Sequence, residues 1–152
     1  MSRRLLLALL LVLVASPAWA QTVKPAPKEA TEPIMQQLAA FRRGDFDTAY
    51  TFASTEIRDQ FDRPAFEQMV RGGYPEIAES TFAAVVSSAI APDGHAYIAV
   101  KVRGANGNSI EAFYDLVLES GQWKINGVAS KPDPLEVSFP SYSPLPSGEW
   151  AG

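Results

Sequence analysis

The first residues that could do chemistry are Tyr114 and its acidic neighbours Glu111 and Asp115. A desolvated carboxylate opposite a tyrosine hydroxyl can serve general acid–base catalysis. In an extended strand, however, successive side chains point to opposite faces of the sheet. The more apolar face of this strand carries Ile110, Ala112, Tyr114, Leu116 and Leu118. The other face carries Glu111, Phe113, Asp115 and Val117. We therefore expect Tyr114 to line a pocket and Asp115 to point to solvent or to a dimer partner.

Two arginines and a second tyrosine are candidates for recognising a ligand. The planar guanidinium of an arginine at a pocket mouth suits a carboxylate or a phosphate. For Arg58, the alternative is an ion pair or a charge at a helix C-terminus that braces the fold. Tyr74, next to Pro75, can pack through its ring and donate through its hydroxyl. The candidate ligand-binding residues are therefore Arg58, Arg71, Tyr74 and Tyr114.

Metal and nucleophile chemistry have little support in the composition. The chain has one histidine and no cysteine, and its acids show no calcium-loop spacing. It has neither a Gly-x-Ser-x-Gly elbow nor a phosphate-binding loop. His95 directly follows a Pro-Asp-Gly turn, so we expect a solvated hairpin residue rather than a base. The sequence therefore predicts no metal and no cofactor.

The N-terminus has the pattern of a secretory signal peptide over residues 1–20. Arg3 and Arg4 precede an apolar run over residues 5–15, and Ala18-Trp19-Ala20 forms a small-x-small cleavage site. The run is shorter than the roughly 20 residues of a membrane span, so no anchor is expected after cleavage. We predict an exported protein, periplasmic or secreted. The full chain has a net charge of −4, and cleavage removes Arg3 and Arg4, so the mature protein is more negative. A negative surface disfavours nucleic acid as a partner.

The protein has 152 residues, of which 47% are apolar. This length and composition, with helical patterns followed by strand patterns, predict one α+β domain over residues 31–131. Helices are expected from Thr31, Asp45 and Asp62, with a short helical segment around Ile57 and Phe61. Four strands over residues 81–90, 95–103, 110–119 and 122–129 are joined by short turns, which predicts an antiparallel meander. The three N-terminal helices should pack on one face of a strongly curved four-stranded sheet.

Two flanking segments are expected outside this domain. Residues 21–30 contain Lys-Pro-Ala-Pro-Lys and predict a flexible leader. Residues 132–152 contain five prolines interleaved with apolar residues and form a Pro-rich C-terminal tail. This tail is either frayed or an extended segment that lies across the domain or a partner.

Two stretches of the chain resemble a known family. They are Phe52-Ala53-Ser54 with Ile57-Arg58 and Phe61, and Phe66 with Met69-Val70 and Gly73-Tyr74-Pro75. The combination resembles a family of small bacterial secreted proteins known as a domain of unknown function, DUF4864. The segment from Trp123 to Val128 resembles the closing strand of the nuclear transport factor 2-like superfamily, which includes SnoaL-like cyclases and ketosteroid isomerases. The resemblance implies a cone-shaped fold with a pocket, and this fold hosts enzymes, carriers and dimerisation modules alike.

Three function classes follow from these observations. The first is a non-catalytic exported binding or accessory module that holds a small amphipathic ligand or a protein partner. The second, implied by the superfamily resemblance, is an isomerase, dehydratase or cyclase-like enzyme that uses a pocket carboxylate with Tyr114 or Tyr74. The third is a structural homodimer through an exposed sheet face that carries Tyr97, Phe113 and Val117.

Overall fold

Residues 23–133 are described by the structure, a computed structural model. The predicted signal peptide and the part of the predicted Pro-rich tail after residue 133 lie outside the described residues. None of the helices in the described part is long and apolar enough to cross a membrane.

The first half of the described chain is helical. A 3₁₀ turn over Lys28–Ala30 is followed by α1 (Glu32–Arg42), α2 (Phe46–Thr51), α3 (Thr55–Gln60), α4 (Arg63–Gly73) and α5 (Pro75–Ala78). Asp45, Ser54 and Asp62 cap α2, α3 and α4, and each side chain accepts a hydrogen bond from the backbone N–H three residues later. These caps satisfy otherwise unpaired N–H groups, which explains where these helices begin. The structure adds α5 to the helices that the sequence predicts.

The second half forms a single antiparallel sheet. Its strands are β1 (Ser80–Ile90), β2 (Ala96–Gly104), β3 (Ser109–Glu119) and β4 (Gln122–Pro132), and they pair in the order β1-β2-β3-β4. The predicted meander is therefore confirmed, with β4 extending three residues further than predicted. Asn126 is an extra residue in β4, because Asp115 pairs with Gly127 whereas the next residue of β3, Leu116, pairs with Ile125. Such a bulge bends the strand and re-aims its side chain.

The helices pack against one face of this sheet. On β2 and β3, the buried inward side chains form cross-strand pairs: Ile98 with Tyr114, Val100 with Ala112, and Val102 with Ile110. From the helices, Ile34 and Leu38 of α1 and Phe46 of α2 complete the core. The α+β fold predicted from the sequence is confirmed, and so is the inward orientation of Tyr114.

The predicted flexible leader differs from the structure. From residue 23 onward this segment is packed: the Lys24 carbonyl accepts a hydrogen bond of 2.8 Å from the N–H of Ile90. Ala30 is fully buried, and Ala26 packs against the core. The small alanine side chains fit against the domain, and the end of β1 supplies a backbone partner for the leader.

Candidate functional site

A cavity of about 680 Å³ lies between the helices and the sheet. Its helical wall includes Phe41, Ile57, Phe61, Phe66, Met69 and Val70. Its sheet wall includes Tyr114, Ile125, Gly127 and Val128. Apolar side chains predominate, and this size and lining are typical of a small-molecule site.

The Tyr114 hydroxyl is the unusual polar group of this cavity. Tyr114 is only 1% exposed, and its hydroxyl has no hydrogen-bond partner among the described residues. Burial raises the pKa of Tyr114 well above its usual value, so the hydroxyl stays protonated at neutral pH. A buried tyrosine hydroxyl normally has a partner. Tyr114 therefore lines the cavity and carries a buried hydroxyl donor that has no partner within the described residues.

Two other polar side chains of the cavity, those of Tyr74 and Gln37, are engaged within the fold. The Tyr74 hydroxyl, between α4 and α5, donates to the Val128 carbonyl of β4 at 2.9 Å. The Gln37 Nε2 atom donates to the Ala49 carbonyl at 3.1 Å. Tyr74 thus lines the cavity, as a ligand-binding candidate should. Its hydroxyl, however, is already used in the hydrogen bond that joins the helices to the sheet.

The two candidate arginines do not line the cavity. Arg58 lies exposed in the last turn of α3. Arg71 lies in the last turn of α4, where its Nε donates to Glu67 at 2.8 Å and its guanidinium lies 4.3 Å from the Phe46 ring centroid. Glu67 and Arg71 are four residues apart on one helix face, so this ion pair braces the helix. The structure brings together Tyr74 and Tyr114 but places both arginines elsewhere.

No carboxylate lines the cavity among the residues that the structure describes. Asp115 lies on the outer face of β3, as its alternation with Tyr114 predicts. Glu111, on the same outer face, pairs with Lys131 at 3.3 Å. The enzyme hypothesis requires a carboxylate and a tyrosine in the same cavity. Here Tyr114 faces the cavity, whereas both carboxylates lie on the opposite face of the sheet. Over residues 23–133, no three potential metal ligands come together.

His95 has a partner that the sequence pattern did not predict. Its Nδ1 lies 2.7 Å from Oδ1 of Asp115, so this part-exposed hairpin residue is paired with a carboxylate. The hydrogen bond to Asp115 raises the pKa of His95 above its usual value. This pair joins residues twenty positions apart, and only the registration of β2 with β3 brings them together.

Comparison with known proteins gives a family but no assigned activity. The domain of unknown function DUF4864 matches residues 24–136. A crystal structure of an NTF-2 like protein of unknown function from Silicibacter pomeroyi shares 19% identity, with a TM-score of 0.49, and the similarity covers 68% of this chain and 93% of that chain. None of the curated proteins matches the chain. Because the match spans most of the chain, the protein belongs to the DUF4864 family.

Proposed function

We propose that the protein is an exported, non-catalytic module that binds a small, neutral, largely apolar molecule in its cavity. The observation that carries the proposal is the apolar cavity lined by Tyr114, whose buried hydroxyl has no partner among the described residues. Export rests on the signal-peptide pattern of residues 1–20 and remains a prediction.

Energetics favour a ligand that accepts a hydrogen bond. Leaving a buried hydroxyl without a partner costs about 1–3 kcal/mol, which phenylalanine at the same position would avoid. A ligand oxygen that accepts from Tyr114 would offset this cost when the cavity is filled. The proposal therefore assigns this hydroxyl to recognition rather than to packing.

The charge of the lining favours a neutral ligand. Within the described residues, no lysine, arginine, aspartate or glutamate lines the cavity. A charged ligand group would have to lose its hydration without an opposite charge to replace it, which is strongly unfavourable. The same lack of a lining carboxylate argues against the isomerase, dehydratase or cyclase alternative, because that chemistry needs a base.

Blocking the cavity tests this proposal. Nile red, a neutral dye that carries a carbonyl oxygen, should bind the purified protein with increased fluorescence. We expect Met69→Trp, in the cavity wall, to weaken dye binding at least about tenfold, which corresponds to about 1.4 kcal/mol. Gln68→Trp adds the same side chain at an exposed neighbouring position on α4 and should leave the affinity unchanged. Equal affinities in both variants would place the dye outside the cavity and contradict the proposal.

Homodimerisation through the outer face of the sheet is a second candidate function. Three aromatic side chains on this face are exposed: Phe82 by 52%, Tyr97 by 47% and Phe113 by 40%. Val117, also predicted for this surface, is half-buried. Apolar side chains that share one face are typical of an interaction surface.

A charged substitution tests the dimer. If the outer face joins two copies, sedimentation at micromolar concentration should show a dimer that Phe113→Lys converts to a monomer. Leu118→Lys is the matched control, because Leu118 is 56% exposed but alternates with Val117 onto the other face of β3. A wild-type protein that sediments as a monomer would contradict this second function and leave the cavity proposal intact.

A further inference from the structure

Four side chains form a continuous chain of hydrogen bonds from the outer face of the sheet to the start of α3. His95 Nδ1 lies 2.7 Å from Asp115 Oδ1, and Asp115 Oδ2 accepts from Asn126 Nδ2 at 3.3 Å. Asn126 Oδ1 in turn accepts from the Ser54 hydroxyl at 2.8 Å. Ser54 is fully buried and caps α3 by accepting from the N–H of Ile57 at 3.2 Å. We call these four side chains the relay.

The inner half of the relay supports one wall of the cavity. Asn126 lies between Ile125 and Gly127, and both of these residues line the cavity. Ser54 follows Ala53, which also lines it. The backbone joins the two sides, because the Ser54 N–H donates to the Ile125 carbonyl at 2.8 Å. Asn126 is therefore connected, through its own backbone and through Ser54, to residues that a ligand would contact.

The outer end of the relay is a single titratable histidine among carboxylates. Asp115 contacts the His95 ring, and Asp93 and Glu56 are the other charged groups that act on it. The Tyr97 ring lies nearly parallel to the imidazole, with its centroid 6.2 Å away. Because all three charges are negative, they favour the imidazolium and raise the pKa of His95.

We propose that protonation of His95 strengthens binding in the cavity through Asp115, Asn126 and Ser54. This inference rests on the proposed function of the cavity. The imidazolium forms a charge-assisted hydrogen bond that fixes the Asp115 carboxylate, which then holds the Asn126 amide. When His95 loses its proton this bond weakens, and the bulge of β4 samples more conformations. A ligand must then order the wall on binding, so its affinity falls.

The coupling has a defined sign. The affinity is highest below the pKa of His95 and falls as the pH rises through it. Reciprocity requires that an occupied cavity raise the pKa of His95 further. Because the chain contains one histidine, its imidazole resonance reports this titration without overlap from another.

The pH dependence of Nile red binding tests the relay. For the wild type, the dissociation constant should rise about fivefold between about pH 5.5 and about pH 8.5, which is a typical coupling. His95→Gln keeps a donor for Asp115 but does not titrate, so its profile should be flat. Asn126→Ala interrupts the relay between its outer and inner halves. It should also flatten the profile, while NMR shows that His95 still titrates.

The outcomes separate this inference from the function on which it rests. If Met69→Trp weakens dye binding as expected but the wild-type affinity does not change with pH, the coupling is overturned and the cavity proposal stands. A pH dependence that persists in His95→Gln or Asn126→Ala would overturn the relay as its cause. Failure of the dye to bind at every pH would overturn both proposals.

Discussion

Replacement of Tyr114 by phenylalanine is expected to stabilise the fold by about 1 kcal/mol or more and to weaken Nile red binding about tenfold. The stability gain follows because the substitution removes a buried hydroxyl that has no partner. The affinity loss is expected because the proposed ligand accepts a hydrogen bond from this hydroxyl. The ring and the shape of the cavity are retained, so the two effects arise from one oxygen atom.

Tyr74→Phe is the matched control for this prediction. Tyr74 lines the same cavity, but its hydroxyl donates to the Val128 carbonyl. Its removal leaves that bond unmade, so the fold should be destabilised by about 1 kcal/mol. The two substitutions remove the same atom from the same cavity and should change stability in opposite directions.

Urea unfolding and dye titration of both variants measure these effects. An increase in stability together with a loss of affinity is typical of a side chain kept for binding rather than for packing. Tyr114→Phe with lower stability would show that the hydroxyl has a structural partner in solution. Unchanged dye affinity in Tyr114→Phe would remove the observation on which the proposed function rests.

The alternation of side chains along β3 is sufficient to predict which face holds Tyr114. A strand has a period of two, so the more apolar of its two sets of residues determines which side faces the core. The same rule places Tyr114 and Asp115 on opposite sides of the sheet, because they are consecutive in the strand. It therefore also predicts that the carboxylate and the tyrosine required for catalysis lie on different faces.

The side-chain contacts between residues far apart in the chain could not be predicted from the sequence. His95 meets Asp115 only when β2 and β3 align, and Asn126 meets Ser54 across a separation of 72 residues. The bulge at Asn126 follows from how β4 pairs with β3, which local patterns do not encode. By contrast, the ion pair of Arg71 could have been predicted from the sequence, because Glu67 lies four residues earlier on the same helix.

Gly104 has a structural role that the sequence did not predict. Gly104 is buried at the end of β2, and its N–H donates to the Asn108 carbonyl at 2.9 Å. The short helix α5 passes over it, so a Cβ atom at this position would lie 2.9 Å from the backbone Cα of Glu76. Only a residue without a side chain allows this close approach.

Gly104→Ala is therefore expected to destabilise the protein by about 2–3 kcal/mol, because α5 would have to move away from β2. Displacement of α5 would also shift Ile77, a buried residue that lines the cavity, so dye binding should weaken as well. Gly72→Ala is the control: a Cβ at this exposed position of α4 has nothing within 4 Å. It should stabilise the protein by about 0.5–1 kcal/mol, because alanine suits a helix better than glycine. Urea unfolding should thus separate the two variants by about 3 kcal/mol, and equal stabilities would show that α5 does not lie against β2 as described.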